Sequence, residues 1–278
     1  MASAGSHIQR VIAWIRAVID RYRALHGRAT AAAITLYGFL ALFPIAVLAI
    51  AVLGFVSSNN HHVAQDIVKD LGVKGDAART VVRAVAKARE SRHLATVVGT
   101  VGVLWVGSSF ALSVANAYDT AWGVSRSATR DRVVGLVWLA GAGVLIVVAS
   151  FATAGVAALP IELAPIVVAA SLAFDTALWL WTAWVLPKRR VRLRALVPAA
   201  LVGAVGLEAM KVVGGYAVPT LVTGSSALYG TIGVVFALLT WLLVLGRLVV
   251  VVTVVEVLGS ERGQGWSRTM RQPPPSRR

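Results

Sequence analysis

Four ionisable residues lie inside long apolar stretches of the sequence: Asp175, Glu208, Lys211 and Arg247. A charged side chain in hydrocarbon is costly and usually faces a polar interior or a wet cavity, so each is a functional-site hypothesis. Glu208 and Lys211 are three residues apart, which places them on one face of a helix. The functional interpretation is a polar path between helices, in which Lys211 and Arg247 meet an anionic headgroup.

In that interpretation the carboxylates of Asp175 and Glu208 hold the two cations in place or carry protons. The structural interpretation is an ion-pair network that only fixes helix packing. The long side chains of Lys211 and Arg247 would then reach toward the interfaces. The sequence alone leaves both interpretations open.

Residues for hydrolytic, metal or nucleotide chemistry are sparse. The chain has no cysteine, so thiolate nucleophiles and thiolate metal sites are excluded. No His-x-His or His-x-x-x-His spacing occurs, and a metal-dependent nuclease needs such clusters. The glycine-rich lysine motif of P-loop ATPases is absent. We therefore expect no enzyme activity, no metal, no cofactor and no ATP hydrolysis by this chain.

The composition predicts a membrane protein. Of 278 residues, 58% are hydrophobic and 14% are charged, whereas soluble domains are roughly 45–50% apolar and about 25% charged. The net charge of +15 is typical of cytoplasmic loops that contact anionic lipid. Binding of nucleic acid is the weaker explanation of that charge.

Apolar runs predict an all-α polytopic membrane domain over residues 29–258 with about six transmembrane helices. The predicted helices span residues 29–56, 94–118, 133–159, 166–186, 195–218 and 228–258. Pro44 should kink the first of them. Gly214 and Gly215 weaken the fifth and are candidates for a hinge or an unwound segment, and a turn should follow Val218.

Three further segments flank or interrupt these helices. Residues 1–28 have the spacing of an amphipathic helix, which would lie in the membrane interface or pack on the rest of the protein. Residues 57–93 are predicted to form a helical extracytoplasmic loop. Residues 259–278 are polar and cationic and are predicted to be a disordered tail.

Loop charges predict that both termini are cytoplasmic. With that orientation the inner segments carry 5, 3, 5 and 5 Lys or Arg residues, and two of the three outer loops carry none. The exception is residues 57–93, with seven.

Three stretches carry distinctive aromatic, glycine and polar positions. Those residues are Tyr37, Phe43, Pro44, Asn116, Tyr118, Tyr229, Gly230 and Glu256. In this order they resemble the opening helix, the exit of the second helix and the last helix of the BrkB/YihY/YhjD family. The residues before Glu256 are valines, where the family often has small residues. We expect Glu256 itself to lie at the inner membrane interface.

The resemblance implies a bacterial inner-membrane protein of envelope integrity, with a link to lipid transport. Combined with the buried charges, it leads us to expect transport or flipping of an anionic lipid or amphiphile through a polar site between the fourth, fifth and sixth predicted transmembrane helices. The alternative is a non-transporting scaffold, and ribonuclease activity is disfavoured. The expected partners are anionic membrane lipids rather than nucleic acid, and assembly of identical chains stays open.

Overall fold

A computed structural model describes residues 2–59, 65, 76–124, 128–157, 164–187, 193–229 and 231–269. These residues form eight α-helices and one π-helical segment. The helices are α1 (Ala2–Ala24), α2 (Gly27–Asn59), α3 (Asp76–Gly102), α4 (Ser108–Trp122), α5 (Ala128–Ala157), α6 (Ala164–Val185), α7 (Leu193–Tyr229) and α8 (Thr231–Thr269), and the π-helical segment is Val103–Gly107.

Six helical stretches are long and apolar enough to cross a membrane, which confirms the predicted all-α class. They are Gly27–Ser58, Val82–Trp122, Asp131–Ala152, Pro165–Val185, Leu193–Tyr216 and Ile232–Glu261. The second of them is made by α3, the π-helical segment and α4 in succession. A helix satisfies its own backbone hydrogen bonds, which hydrocarbon cannot do, so long apolar runs of this kind become spanning helices.

Three helix boundaries differ from the sequence prediction. Helix α7 continues to Tyr229, although we predicted a turn after Val218. Helix α8 continues to Thr269, so the first part of the predicted disordered tail is helical. Helix α3 starts at Asp76, so half of the predicted 57–93 loop is one long helix. Pro219 and Gly259 do not end these helices. An established helix gains one hydrogen bond for each non-proline residue that is added, which offsets the cost of a single breaker.

Residues 60–64, 66–75 and 270–278 lie outside the described part of the chain, as does Gly230. The predictions for the remainder of the loop and of the tail therefore stay predictions. The same holds for the side chain of Tyr229.

The described chain divides into two compact units, of which the smaller is Tyr37–Phe110. In it, α2 and α3 approach so closely that glycines form the contact. A Cβ on Gly99 would lie 2.9 Å from the backbone nitrogen of Leu48, and one on Gly102 would lie 2.6 Å from Cβ of Pro44. Small residues of this kind let membrane helices pack backbone to backbone.

The π-helical segment follows Gly102 directly, and serine hydroxyls support it. Ser108 and Ser109 both donate to the carbonyl oxygen of Trp105, at 2.8 and 3.1 Å. A wider π turn leaves carbonyl groups poorly paired, and hydroxyls can satisfy them within a membrane. The irregular turn therefore lies next to the predicted kink residue Pro44 in the same unit.

The larger unit comprises Met1–Leu36 and Ala111–Arg278. In it, α6 packs between α5 and α7 through two tryptophans that occupy glycine positions on its neighbours. The ring of Trp181 lies against Gly141 of α5, and a Cβ on Gly203 of α7 would be 2.5 Å from the ring of Trp179. Trp138 also donates from Nε1 to Oγ1 of Thr182 at 3.0 Å. This packing fixes the rotation of α6 against both α5 and α7.

Helix α1 packs on the end of α8, as one of the two interpretations predicted. Val18 is buried against Val254 and Val255 of α8. Arg21 forms a 3.6 Å ion pair with Glu261. Other apolar side chains of α1, such as Ile12 and Ile15, stay exposed, so the helix also keeps an apolar surface for lipid.

Candidate functional site

The structure brings Asp175, Glu208 and Lys211 together in one charged cluster between α6 and α7. The Lys211 ammonium lies 2.7 Å from Oδ2 of Asp175 and 3.2 Å from Oε1 of Glu208. Asp175 lies ten residues from each end of the span Pro165–Val185, about 15 Å along the helix. The predicted pairing is therefore made near the middle of an apolar helix.

Ser171 is a fourth member of this cluster that the sequence analysis missed. Its Oγ accepts a hydrogen bond from Lys211 Nζ at 3.0 Å. Ser171 precedes Asp175 by four residues, so both side chains lie on the same face of α6. That spacing was visible in the sequence. With Ser171 included, the ammonium group has three acceptors for its three N–H donors.

The cluster is not sealed inside the protein. The Lys211 side chain is 47% exposed, whereas those of Asp175 and Glu208 are 12% and 23% exposed. Two carboxylates and one ammonium give the cluster a formal charge of −1. Asp175 is thus the inner partner of Lys211, and Glu208 is the outer partner with the longer contact.

Arg247 does not join this cluster, contrary to the predicted grouping. It lies on α8 beside the α1–α2 junction, where it lines a cavity together with Arg23 and Arg28. Its position follows from the preceding residue. A Cβ on Gly246 would lie 2.6 Å from the carbonyl oxygen of Ala31, so α8 meets α2 through Gly246, directly before Arg247.

The hinge candidates are all helical. Pro44 lies inside α2, and α7 runs without a break through Gly214 and Gly215. The two glycines differ in their surroundings. A Cβ on Gly214 would lie 2.6 Å from the Trp241 ring of α8, whereas one on Gly215 would meet nothing within 4 Å. Gly214 therefore allows α7 to pack closely against Trp241 of α8. Gly215 makes no such contact and is the better candidate for a hinge.

The family-motif residues fall into two groups. Tyr37, Phe43 and Asn116 are exposed on their helices. Tyr118 and Glu256 are among the most completely buried side chains, and Glu256 is only 2% exposed. Glu256 lies beside Tyr118 and Trp122, and its expected depth at the inner membrane interface stays a prediction. The two valines before it, Val254 and Val255, pack inward against Val18 of α1.

Within the described residues, no three His, Asp or Glu side chains are placed to hold a metal ion. The charged cluster has only two carboxylates, and its lysine fills the position that a cation would take. The chemistry available to it is therefore the exchange of ion-pair partners and of protons.

A six-span helical chain with a charged cluster in the apolar zone defines a multi-pass membrane protein. Residues 18–275 match the family model of the virulence factor BrkB, so the chain belongs to the BrkB family. No solved structure matches the chain.

Two curated relatives cover most of the chain. An uncharacterized protein of Dickeya dadantii (strain 3937) is 25% identical over 257 residues, which are 82% of this chain and 77% of that protein. The inner membrane protein YhjD of Escherichia coli (strain K12) is 26% identical over 253 residues, 81% of this chain and 75% of YhjD.

Proposed function

We propose that this BrkB-family protein lies in the bacterial inner membrane, where it binds and moves an anionic amphiphile. In this proposal the charged cluster of Asp175, Glu208 and Lys211 binds the amphiphile as it moves. The observation that carries this proposal is the half-exposed Lys211 ammonium beside the midpoint of a membrane span. An ion pair that only fixed packing would be most stable when fully enclosed by protein, because exposure to hydrocarbon is costly. Exposure of the Lys211 ammonium at this depth therefore favours the binding of a polar ligand.

The two carboxylates suit different tasks in such a cycle. Asp175 is the more buried and lies closer to the ammonium, so it holds Lys211 in place. Glu208 is more exposed and its contact is longer, so it is the partner that an anionic headgroup can replace. A headgroup on Lys211 would free the Glu208 carboxylate, which can then take up a proton and keep the local charge balanced.

The wider proposal keeps the predicted topology and partners. We infer that both termini lie in the cytoplasm, that anionic lipids are the partners, and that neither nucleic acid nor ATP takes part. The name of the Escherichia coli relative supports the inner membrane. We infer no enzyme activity, since partner exchange at an ammonium group makes and breaks no covalent bond.

A non-transporting scaffold is the second candidate, and one observation favours it. All three N–H donors of Lys211 already have acceptors, so the cluster is complete without a ligand. On this alternative the ion pairs hold α6 against α7 and bind no lipid. The two candidates differ in whether Lys211 determines which lipids stay on the protein.

Mass spectrometry of the lipids that copurify with the protein in mild detergent tests the proposal. We expect one class of anionic lipid to be enriched on the wild type. Lys211→Ala should reduce that enrichment about tenfold or more, because a hydrogen bond to a charged group contributes about 1.5–3 kcal/mol. Lys87→Ala is the matched control, since Lys87 is an exposed lysine on α3.

Thermal unfolding would first establish that both variants fold. An unselective lipid profile, equal in the wild type and Lys211→Ala, would reject the binding function and favour the scaffold. A loss that Lys87→Ala shares would reject Lys211 as a specific contact.

A further inference from the structure

A cavity of about 790 Å³ lies among α1, the first turn of α2 and the middle of α8. All of its described lining residues belong to the larger unit. The lining combines three arginines, Arg23, Arg28 and Arg247, with the apolar side chains of Val18, Ile19 and Val251. No Asp or Glu is among the described lining residues.

The backbone around this cavity is held by specific contacts. His26 adopts a left-handed conformation, with φ of 50°, where α1 ends and α2 begins. Its carbonyl oxygen accepts from the amides of Ala29 and Thr30 at 2.9 and 3.2 Å, which closes the first turn of α2. On the other side, Thr35 donates to the carbonyl oxygen of Leu242 at 3.3 Å. These contacts bring the start of α2 against α8 beside Arg247.

The three guanidinium groups have no ion-pair partner within the described part of the chain. Among the described residues, Arg23, Arg28 and Arg247 form no ion pair, whereas Arg21 of the same helix pairs with Glu261. Guanidinium groups that line one cavity carry the same charge, so an anion bound among them is favoured. The start of the 33-residue helix α2 adds its own preference for negative charge.

The chemistry of the lining indicates a phosphate ester with an apolar tail. Guanidinium groups bind phosphate through paired N–H donors. Val18, Ile19 and Val251 offer an apolar wall beside them, and Ile19 is exposed. A hydrophilic polyanion would leave that wall without a partner, whereas an acyl chain would cover it. Helix α1, with its exposed apolar side chains, would lie among the same lipids.

We propose that this cavity is a binding site for the phosphate headgroup of an anionic phospholipid, with the three arginines on the phosphate and the valine and isoleucine side chains along the first part of an acyl chain. The inference rests on the proposed function, because it gives the moving amphiphile a phosphate headgroup and a place of entry. It is separate from the charged cluster, which is built by α6 and α7 alone.

Native mass spectrometry of the full chain in a non-ionic detergent tests the site. The probes are dihexanoyl phosphatidylglycerol, dihexanoyl phosphatidylcholine and inorganic phosphate. We expect phosphatidylglycerol to bind about tenfold or more tightly than the other two, because only it has both a net negative charge and a tail. Arg247→Gln and Arg23→Gln should each weaken phosphatidylglycerol binding by about the same factor.

Arg132→Gln is the matched control, because Arg132 is an exposed arginine of α5 outside the cavity. Lys211→Ala should remove the lipid held at the charged cluster and leave the arginine-dependent binding of phosphatidylglycerol in place. Arg23→Gln and Arg247→Gln therefore report this site, and Lys211→Ala reports the charged cluster.

Equal binding of phosphatidylglycerol and phosphatidylcholine would overturn the proposal. Inorganic phosphate binding as tightly as phosphatidylglycerol would overturn the lipid assignment, because the apolar wall would then contribute nothing. Displacement of the lipid by a short single-stranded oligonucleotide at equal concentration would indicate a nucleic-acid site instead. If Arg23→Gln and Arg247→Gln both bind phosphatidylglycerol as Arg132→Gln does, the arginines are not its ligands.

Discussion

Lys211 has two carboxylate partners that differ in burial and distance. Asp175 lies on α6 with little exposure, whereas Glu208 lies one turn before Lys211 on α7 and is more exposed. A contact between two helices holds them together, whereas a contact within one helix adds little to tertiary stability. The two carboxylates should therefore respond differently to removal of their charge.

We predict that Asp175→Asn lowers the stability of the folded protein by about 1–3 kcal/mol, because it removes a short, half-buried charged hydrogen bond between helices. Glu208→Gln should cost less than about 1 kcal/mol, as expected for a partly exposed pair within one helix. Thermal unfolding followed by tryptophan fluorescence measures both, since the chain has nine tryptophans. Equal losses for the two variants would contradict this ranking.

At the residue scale, the sequence predicted one pair securely and misplaced one cation. Glu208 and Lys211 were paired by helical spacing alone, and Asp175 was added by its depth. Ser171 was missed because serine is unremarkable in a helix, although its four-residue spacing from Asp175 was available. Arg247 was misplaced because its direction depends on the close crossing of α8 and α2 at Gly246, which is a tertiary contact.

At the element scale, α7 contains two adjacent glycines in different environments. Gly214 lies against Trp241, and Gly215 has open space around its α-carbon. Substitution by alanine should therefore have opposite effects on stability at these two neighbouring positions. This difference makes them a matched pair for testing the hinge.

We predict that Gly214→Ala destabilises the protein by about 1–3 kcal/mol, since the new Cβ forces the Trp241 ring to move. Gly215→Ala should be neutral or stabilising by up to about 1 kcal/mol, because alanine favours the helix and meets no neighbour. If Gly215 is a hinge, the same variant should lower the rate of lipid movement. Unchanged transport in a stable Gly215→Ala protein would remove the hinge hypothesis.

Helix existence was easier to predict than helix ends. The six apolar runs were placed correctly because hydrocarbon leaves the backbone no alternative to a helix. The ends of α3, α7 and α8 were placed too early or too late, since Pro219 and the glycines near them were given the weight they have in soluble proteins. The π-helical segment has no sequence signature beyond its two following serines.

At the scale of the whole molecule, the six spans found in the described residues predict that the two termini lie on the same side of the membrane. Loop charges predict that this side is the cytoplasm. The seven basic residues of 57–93 are the opposing observation, and most of them lie on or next to α3. The orientation of the protein in the membrane is therefore a separate prediction that needs its own test.

Single cysteines can test the orientation because the chain has none of its own. We predict that a membrane-impermeant maleimide labels Lys87→Cys in intact cells after the outer membrane is permeabilised. Ala24→Cys, at the end of α1, should react only after the inner membrane is opened. Both positions are exposed in the structure. The reverse pattern would invert the topology and place α1 outside the cytoplasm.

A lipid-exchange assay in proteoliposomes tests whether the protein moves an anionic amphiphile past Lys211. Fluorescent analogues of phosphatidylglycerol and phosphatidylcholine report movement between leaflets through quenching from outside, with and without an imposed pH gradient. We predict faster exchange of the phosphatidylglycerol analogue with the wild type than with protein-free vesicles, and a loss of that difference in Lys211→Ala. Equal rates for wild-type and protein-free vesicles under both conditions would contradict the claim.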